Sequence, residues 1–90
     1  MTCTANTPIT AEIVEAAYGL GNTTGDAHLV LDNGVVKILA ATEIDSTMPI
    51  LAPWELLVEI GEYAADFAAV AHELNNDPYR GRYTLAELAR

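Results

Sequence analysis

The sequence predicts an α+β fold: a helix, a β-hairpin with a candidate third edge strand, a long amphipathic helix and a short C-terminal helix. Two segments are predicted to be helical, since apolar residues recur at helical spacing over residues 8–20 and again after Pro53. A further observation predicts the hairpin: Asn33 and Gly34 separate two apolar segments, a pairing typical of two-residue β-turns.

Length and charge set the first limits. Ninety residues, 51% of them hydrophobic, suit one domain over residues 1–90, with residues 1–7 expected to be flexible. Thirteen acidic and four basic residues give a net charge of −9, and Lys37 is the one base in residues 1–79. Such a field repels nucleic acid and anionic membranes and favours basic partners. Halophilic adaptation or simple solubility is the alternative explanation.

The first helix is predicted over residues 8–20. Thr7 and Thr10 are its two candidate N-caps, and Gly19 and Gly21 are expected to end it. Its apolar residues at helical spacing are Ile9, Ile13, Ala17 and Leu20.

The hairpin is predicted over residues 27–43. A type I′ turn needs φ > 0 at both central residues, which Asn33 and Gly34 tolerate, and it pairs Asp32 with Val35. One face, the predicted core face, then carries Leu29, Leu31, Val36 and Ile38. The other face is half apolar and is expected to be covered; it carries His28, Val30, Lys37 and Leu39.

After the hairpin, residues 48–51 can add a short edge strand, since two strands alone are rarely stable. The second helix is predicted to begin near Pro53 and to run without a break to Asn75 or Asn76. A capping box formed by Thr84 and Glu87 predicts a short last helix over residues 83–90.

A helical wheel divides the second helix into three sides. The bulky side is the predicted core side and consists of Leu56, Ile60, Tyr63, Phe67, Val70 and Leu74. The small side allows a close approach by the first helix or by a second copy of the chain, so Gly61, Ala65 and Ala68 are a candidate dimer face. The acidic side must face outward; it consists of Glu55, Glu59, Glu62, Asp66, Glu73 and Asp77.

The acidic side is the candidate partner-binding surface. Like charges three and four residues apart destabilise a helix, so a row without an interspersed Lys favours contact with Lys or Arg of a partner. The alternative interpretation is that the acidic side is simply exposed to solvent and has no partner. Six charges over ~33 Å are sparse beside duplex DNA, with one charge per ~1.7 Å, so a binder of basic protein surfaces is favoured over a DNA mimic.

Residues 76–83 supply candidate interface anchors: Tyr79, Arg80, Arg82 and Tyr83. These residues can neutralise the end of the acidic row or pack locally, they can bind a protein, or they can stack on bases, in that order of preference.

The sequence predicts no catalytic residue, no metal site and no cofactor. His28 and His72 lack partners at metal-ligand spacing, apart from a weak Asp26–His28 pair, so both are expected to be structural. Cys3 lies in the flexible start and cannot form an internal disulfide. Without a secretory signal or a membrane-length apolar segment, the expected location is the cytoplasm.

The expected function is that of a non-enzymatic acidic binding protein, an inhibitor of a nucleic-acid-binding protein that does not itself bind nucleic acid or membrane. Phage anti-CRISPR and antirestriction proteins and nuclease immunity proteins are similar to this chain in size and charge alone. The alternative is a structural or adaptor subunit that assembles with itself through an apolar surface. Salt separates the two, because only a charge-driven complex weakens sharply with ionic strength.

Overall fold

A computed structural model describes residues 8–84 and confirms the α+β class. Three helices pack with a three-stranded antiparallel sheet of order β2-β1-β3. The predictions for residues 1–7 and for a helix over residues 83–90 lie wholly or mostly outside the described residues. The elements are α1 (Ala11–Thr24), β1 (His28–Asp32), β2 (Val35–Leu39), a 3₁₀ turn (Ala41–Glu43), β3 (Ile50–Ala52), α2 (Trp54–Gly61) and α3 (Phe67–Asn75).

The hairpin has the predicted register. Asp32 pairs with Val35, and Asn33 and Gly34 take φ values of 54° and 82°, as a type I′ turn requires. The predicted face is a core face, because Leu29 and Leu31 are fully buried there and are joined by the partly buried Val36 and Ile38. A second cluster covers the opposite face, and it comprises Val30, Leu39, Ile44, Met48, Ile50 and Tyr83.

The third strand is present but begins later than predicted, at Ile50 rather than Met48. It pairs antiparallel with β1, so β1 becomes the central strand and is buried on both faces. The connection from β2 to β3 contains the 3₁₀ turn and Pro49, whose carbonyl accepts the Leu31 N–H at 2.9 Å.

Helix α1 is longer than predicted. Its N-cap is Thr10, whose hydroxyl accepts the Ile13 N–H at 3.3 Å. The prediction that Gly19 and Gly21 end the helix was wrong, because α1 continues through both to Thr24, and Gly25, which has φ 101°, is its C-cap. Gly21 is needed inside the helix, since a Cβ there would overlap the ring of Trp54 on α2.

The prediction of one unbroken second helix was also wrong, because two helices, α2 and α3, occupy that stretch. At its end, α2 tightens, with the Glu62 N–H donating to the Glu59 carbonyl at 3.2 Å. Asp66 is extended at φ −159° and begins α3 by accepting the Ala69 N–H at 2.9 Å. A poor helix former, Gly61, and a strong N-cap, Asp66, therefore divide the predicted helix.

The break also changes which residues are buried. Tyr63 and Phe67, predicted to be core residues, are 65% and 40% exposed. Leu57 and Ala71, which the wheel left out of the core side, are buried instead. A continuous wheel fails here because residues beyond Gly61 no longer share one helix axis with those before it. The helices cover one face of the sheet, and their buried residues are Val14, Ala17, Leu57, Ile60, Val70, Ala71 and Leu74.

Helix α1 runs antiparallel to α3. At one end, the side-chain amide of Asn75 donates to the Ile9 carbonyl and accepts the Ile9 N–H, both at 2.9 Å. At the other end, the rings of Tyr18 and Phe67 lie 5.9 Å apart. These contacts fix the direction of α3 and with it the position of the residues that follow.

Candidate functional site

The break divides the six predicted partner-binding carboxylates between two helices. Three of them are exposed on α2: Glu55, Glu59 and Glu62. Asp66 is the N-cap of α3, Glu73 is exposed on α3, and Asp77 is half-buried just after it. The row is therefore bent at Asp66 rather than straight.

The bend brings three of these carboxylates to one cleft of about 220 Å³ between α2 and α3. Glu59 lines it from α2, whereas Glu73 and Asp77 line it from the end of α3. We call it the acidic cleft. Its other lining residues are Leu56, Ile60, Tyr63, Asn76 and Pro78. It therefore combines an aromatic ring, aliphatic side chains and three carboxylates.

Within residues 8–84, no salt bridge neutralises the carboxylates of the acidic cleft. Between residues 8 and 84, the salt bridges are Lys37 Nζ to Asp32 Oδ2 at 2.8 Å and the contact of His28 with Asp26. Both lie at the sheet rather than at the cleft. The side chains of Glu59 and Glu73 make no hydrogen bond to any other residue of this range.

Two other members of the acidic row have structural partners. The Asp66 carboxylate caps α3. Asp77 accepts the Tyr79 N–H at 3.0 Å and the hydroxyl proton of Tyr83. Asp77 therefore holds the chain after α3 in place as well as lining the cleft. Glu59 and Glu73 are the cleft carboxylates whose side chains have no hydrogen-bond partner among residues 8–84.

The candidate interface anchors lie in two environments. Tyr83 forms a bridge with Ile50, and Arg80 is half-buried with its Nη1 donating to Asn75 Oδ1 at 3.0 Å. Tyr79 and Arg82 are exposed. Tyr83 and Arg80 therefore support the fold, which leaves Tyr79 and Arg82 on the surface.

The small face is divided in the same way. Gly61 lies against α1, because a Cβ there would be 3.0 Å from the Tyr18 hydroxyl, whereas Ala65 and Ala68 are exposed. Burial, and secondarily the nearby Tyr63, raise the pKa of the Tyr18 phenol. An apolar groove of about 540 Å³ opens beside this contact and is lined by Tyr18, Asn22, Gly61, Ala64, Ala65, Asp66, Phe67 and Val70.

The sequence analysis predicted a structural role for His28, and the contacts of this buried side chain are consistent with that role. It is 4% exposed, its Nδ1 accepts the Trp54 N–H at 2.8 Å, and its Nε2 lies 3.1 Å from Asp26 Oδ2. The same Asp26 oxygen accepts the Ala41 N–H at 2.9 Å. This imidazole ties β1 to the start of α2, where backbone N–H groups need acceptors from outside the helix.

Within residues 8–84, no group of three or more His, Cys, Asp and Glu side chains is arranged to hold a metal ion. None of the helices in that range is long and apolar enough to span a membrane. The sequence matches no protein-family model, and it has no significant similarity to a curated protein or to a solved structure.

Proposed function

We propose that this chain is a non-enzymatic acidic binding protein that inhibits a nucleic-acid-binding protein by occupying its basic site. The acidic cleft carries the proposal. There Glu59 and Glu73 approach from separate helices without a cation from residues 8–84. Converging like charges repel each other, and a Lys or Arg side chain from a partner relieves that repulsion.

The cleft suits one long basic side chain. The aliphatic stem of Lys or Arg can pack on Leu56 and Ile60 while its charged end reaches Glu59 and Glu73. Tyr63 is 65% exposed and offers a ring face for a cation–π contact. The remaining acidic residues of α2, Glu55 and Glu62, then extend the contact to neighbouring basic residues.

This geometry favours the recognition of individual basic side chains over imitation of a nucleic acid strand. Carboxylates that converge at a cleft do not reproduce the regular charge spacing of ~3.4 Å along one strand. The proposed function falls in the class of antirestriction, anti-CRISPR and nuclease-immunity proteins, on grounds of size and charge.

The first test is affinity capture of a partner from the native host, followed by binding measurements with the purified pair. We expect the dissociation constant to rise steeply between low and moderate salt, because the complex is charge-driven. We also expect DNA or RNA to compete for the partner. An affinity that is indifferent to salt, together with simultaneous binding of nucleic acid, would contradict the proposal.

The second test is charge reversal at the cleft. Glu59→Lys with Glu73→Lys should slow association with the captured partner and flatten the salt dependence, while the fold remains stable because both residues are exposed. The matched control, Glu12→Lys with Glu15→Lys, makes the same change in net charge at exposed positions of α1. Equal losses in the two variants would mean that net charge matters and the cleft does not.

The alternative function, a self-assembling structural or adaptor subunit, has one observation in its favour. The apolar groove exposes Phe67 and Ala65 beside α1, as a protein-binding surface does. Binding through the groove should respond little to salt and should be lost in Phe67→Lys rather than in the cleft variant.

A further inference from the structure

The two edges of the sheet differ. The outer edge of β3 is covered by the chain after α3, since the Gly81 N–H donates to the Ile50 carbonyl at 3.0 Å and Tyr83 forms a bridge with Ile50. The outer edge of β2 has no neighbouring strand among residues 8–84. An open edge strand is a template for pairing with another chain.

The hairpin register shows which backbone groups of β2 are free to pair. A two-residue turn makes Asp32 and Val35 a hydrogen-bonded pair, and such pairs then alternate along the ladder. The backbone N–H and C=O groups of Val35, Lys37 and Leu39 are therefore directed at β1. Those of Val36 and Ile38 are directed outward, where two donors and two acceptors need partners.

We propose that β2 pairs antiparallel with β2 of a second copy of this chain, about a two-fold axis at Lys37. Val36 of each copy then lies opposite Ile38 of the other, which makes four backbone hydrogen bonds. The two three-stranded sheets become one sheet of six strands. The outward groups suit this register because Val36 and Ile38 lie symmetrically on either side of Lys37.

Charge opposes a second copy less at this edge than over most of the surface. Two copies of net charge −9 repel each other over most of their surfaces. Lys37, the one base in residues 1–79, lies in the middle of β2. A lysine in an edge strand ordinarily discourages pairing. In the proposed register the two Lys37 side chains lie opposite each other, and Asp32, whose Oδ2 lies 2.8 Å from Lys37 Nζ, offsets their repulsion. The paired strands then carry a balanced row of Asp32, Lys37 and their copies.

Apolar side chains add to the pairing. Val35 is 57% exposed, and in the proposed register it lies opposite Leu39 of the second copy, which is half-buried in the monomer. The two-fold axis repeats this contact, so two such pairs are shielded from water. Cross-strand pairs of this kind stabilise a sheet.

The test combines sedimentation velocity with residue-resolved amide hydrogen exchange on the wild-type chain over a concentration series. We expect a dimer fraction that rises with concentration, and exchange at Val36 and Ile38 that slows in proportion to it. The amides of Val35, Lys37 and Leu39 already bond to β1 and should change little. A monomer at every concentration, or a dimer with unchanged exchange at Val36 and Ile38, would overturn the proposal.

A charge variant provides the second arm. Lys37→Glu replaces the balanced row with four acidic residues and should raise the dimer dissociation constant about tenfold or more. Arg82→Glu, at an exposed residue outside the strand, makes the same change in net charge and should leave the dimer largely intact. Equal weakening by both variants would count against pairing at this edge. Far-ultraviolet circular dichroism checks that Lys37→Glu folds, and if it does not, the exchange arm decides alone.

Salt distinguishes this proposal from the proposed function. Added salt screens the repulsion between two acidic copies and should strengthen the dimer, whereas it should weaken a complex with a basic partner. Either result can fail without the other, because β2 and the acidic cleft use different residues.

Discussion

The inner and outer sides of the α2–α3 segment differ in whether their polar side chains are hydrogen-bonded. On the inner side, His28 accepts the Trp54 N–H, Tyr18 donates to the Leu57 carbonyl, and Asn75 makes two hydrogen bonds to the backbone of Ile9. On the outer side, four carboxylates have no side-chain partner among residues 8–84: Glu55, Glu59, Glu62 and Glu73.

The difference separates folding from binding. A buried polar group such as His28 must be hydrogen-bonded, because an unpaired one costs about 1–3 kcal/mol. Tyr18 is partly buried and Asn75 is exposed, so their hydrogen bonds should contribute less to stability. Exposed carboxylates have no such requirement. The outer side can therefore be changed with little effect on the fold, and substitutions on the two sides should differ in the property that they alter.

The largest effect is expected on the inner side, at His28. His28→Ala removes the acceptor of the Trp54 N–H and leaves a cavity, which should lower the free energy of unfolding by about 2–4 kcal/mol. His72→Ala, at an exposed histidine of α3, is the control and should cost less than about 0.5 kcal/mol. Urea denaturation measures both, and similar midpoints for the two variants would show that the buried contact contributes nothing.

A smaller effect is expected where the two sides meet, at Asp66. Asp66→Ala removes the N-cap of α3 and should destabilise the chain by about 1 kcal/mol. Glu62→Ala, at an exposed acidic residue whose side chain makes no hydrogen bond to residues 8–84, should be neutral or slightly stabilising because it removes a like charge near Glu59. Thermal unfolding compares the pair. Equal melting temperatures would mean that Asp66 belongs with the outer carboxylates.

The smallest effect is expected at Tyr18, and it depends on pH. Tyr18→Phe removes the hydrogen bond to the Leu57 carbonyl and should cost about 0.5–1 kcal/mol near neutral pH. Because the pKa of Tyr18 is raised in the folded state, its contribution is fully present below the unfolded pKa of about 10 and is lost as pH rises through the folded pKa.

Urea denaturation from about pH 8 to about pH 11 measures this dependence. The wild type should lose more stability than Tyr18→Phe over the alkaline part of that range, so the difference between them shrinks. A constant difference across the range would argue against a buried Tyr18 hydroxyl.

Half of the candidate site could be predicted from the sequence. The exposure of Glu55, Glu59, Glu62 and Glu73 follows from the cost of burying a charge. Their arrangement could not be predicted, because a wheel assumes one straight axis and the chain bends at Asp66. The sequence carries a signal for this bend at Asp66, an acidic N-cap residue followed closely by two strong helix formers, Ala68 and Ala69.

The sequence by itself determined the hairpin. Asn33 and Gly34 are among the few residues that accept φ > 0, and strand side chains alternate with a period of two, so the turn alone sets the register and the core face. These are local constraints between neighbours in the chain, and no distant residue is needed to satisfy them.

Only the tertiary structure decided where α1 and α2 end, whereas α3 ends at Asn75, as the sequence predicted. Gly21 stays helical and accommodates the ring of Trp54, whereas α2 ends at Gly61, which lies against Tyr18. The same residue type thus continues one helix and ends another. The physical reason is that a glycine costs a helix only about 1 kcal/mol, which a contact with a distant aromatic ring can outweigh in either direction.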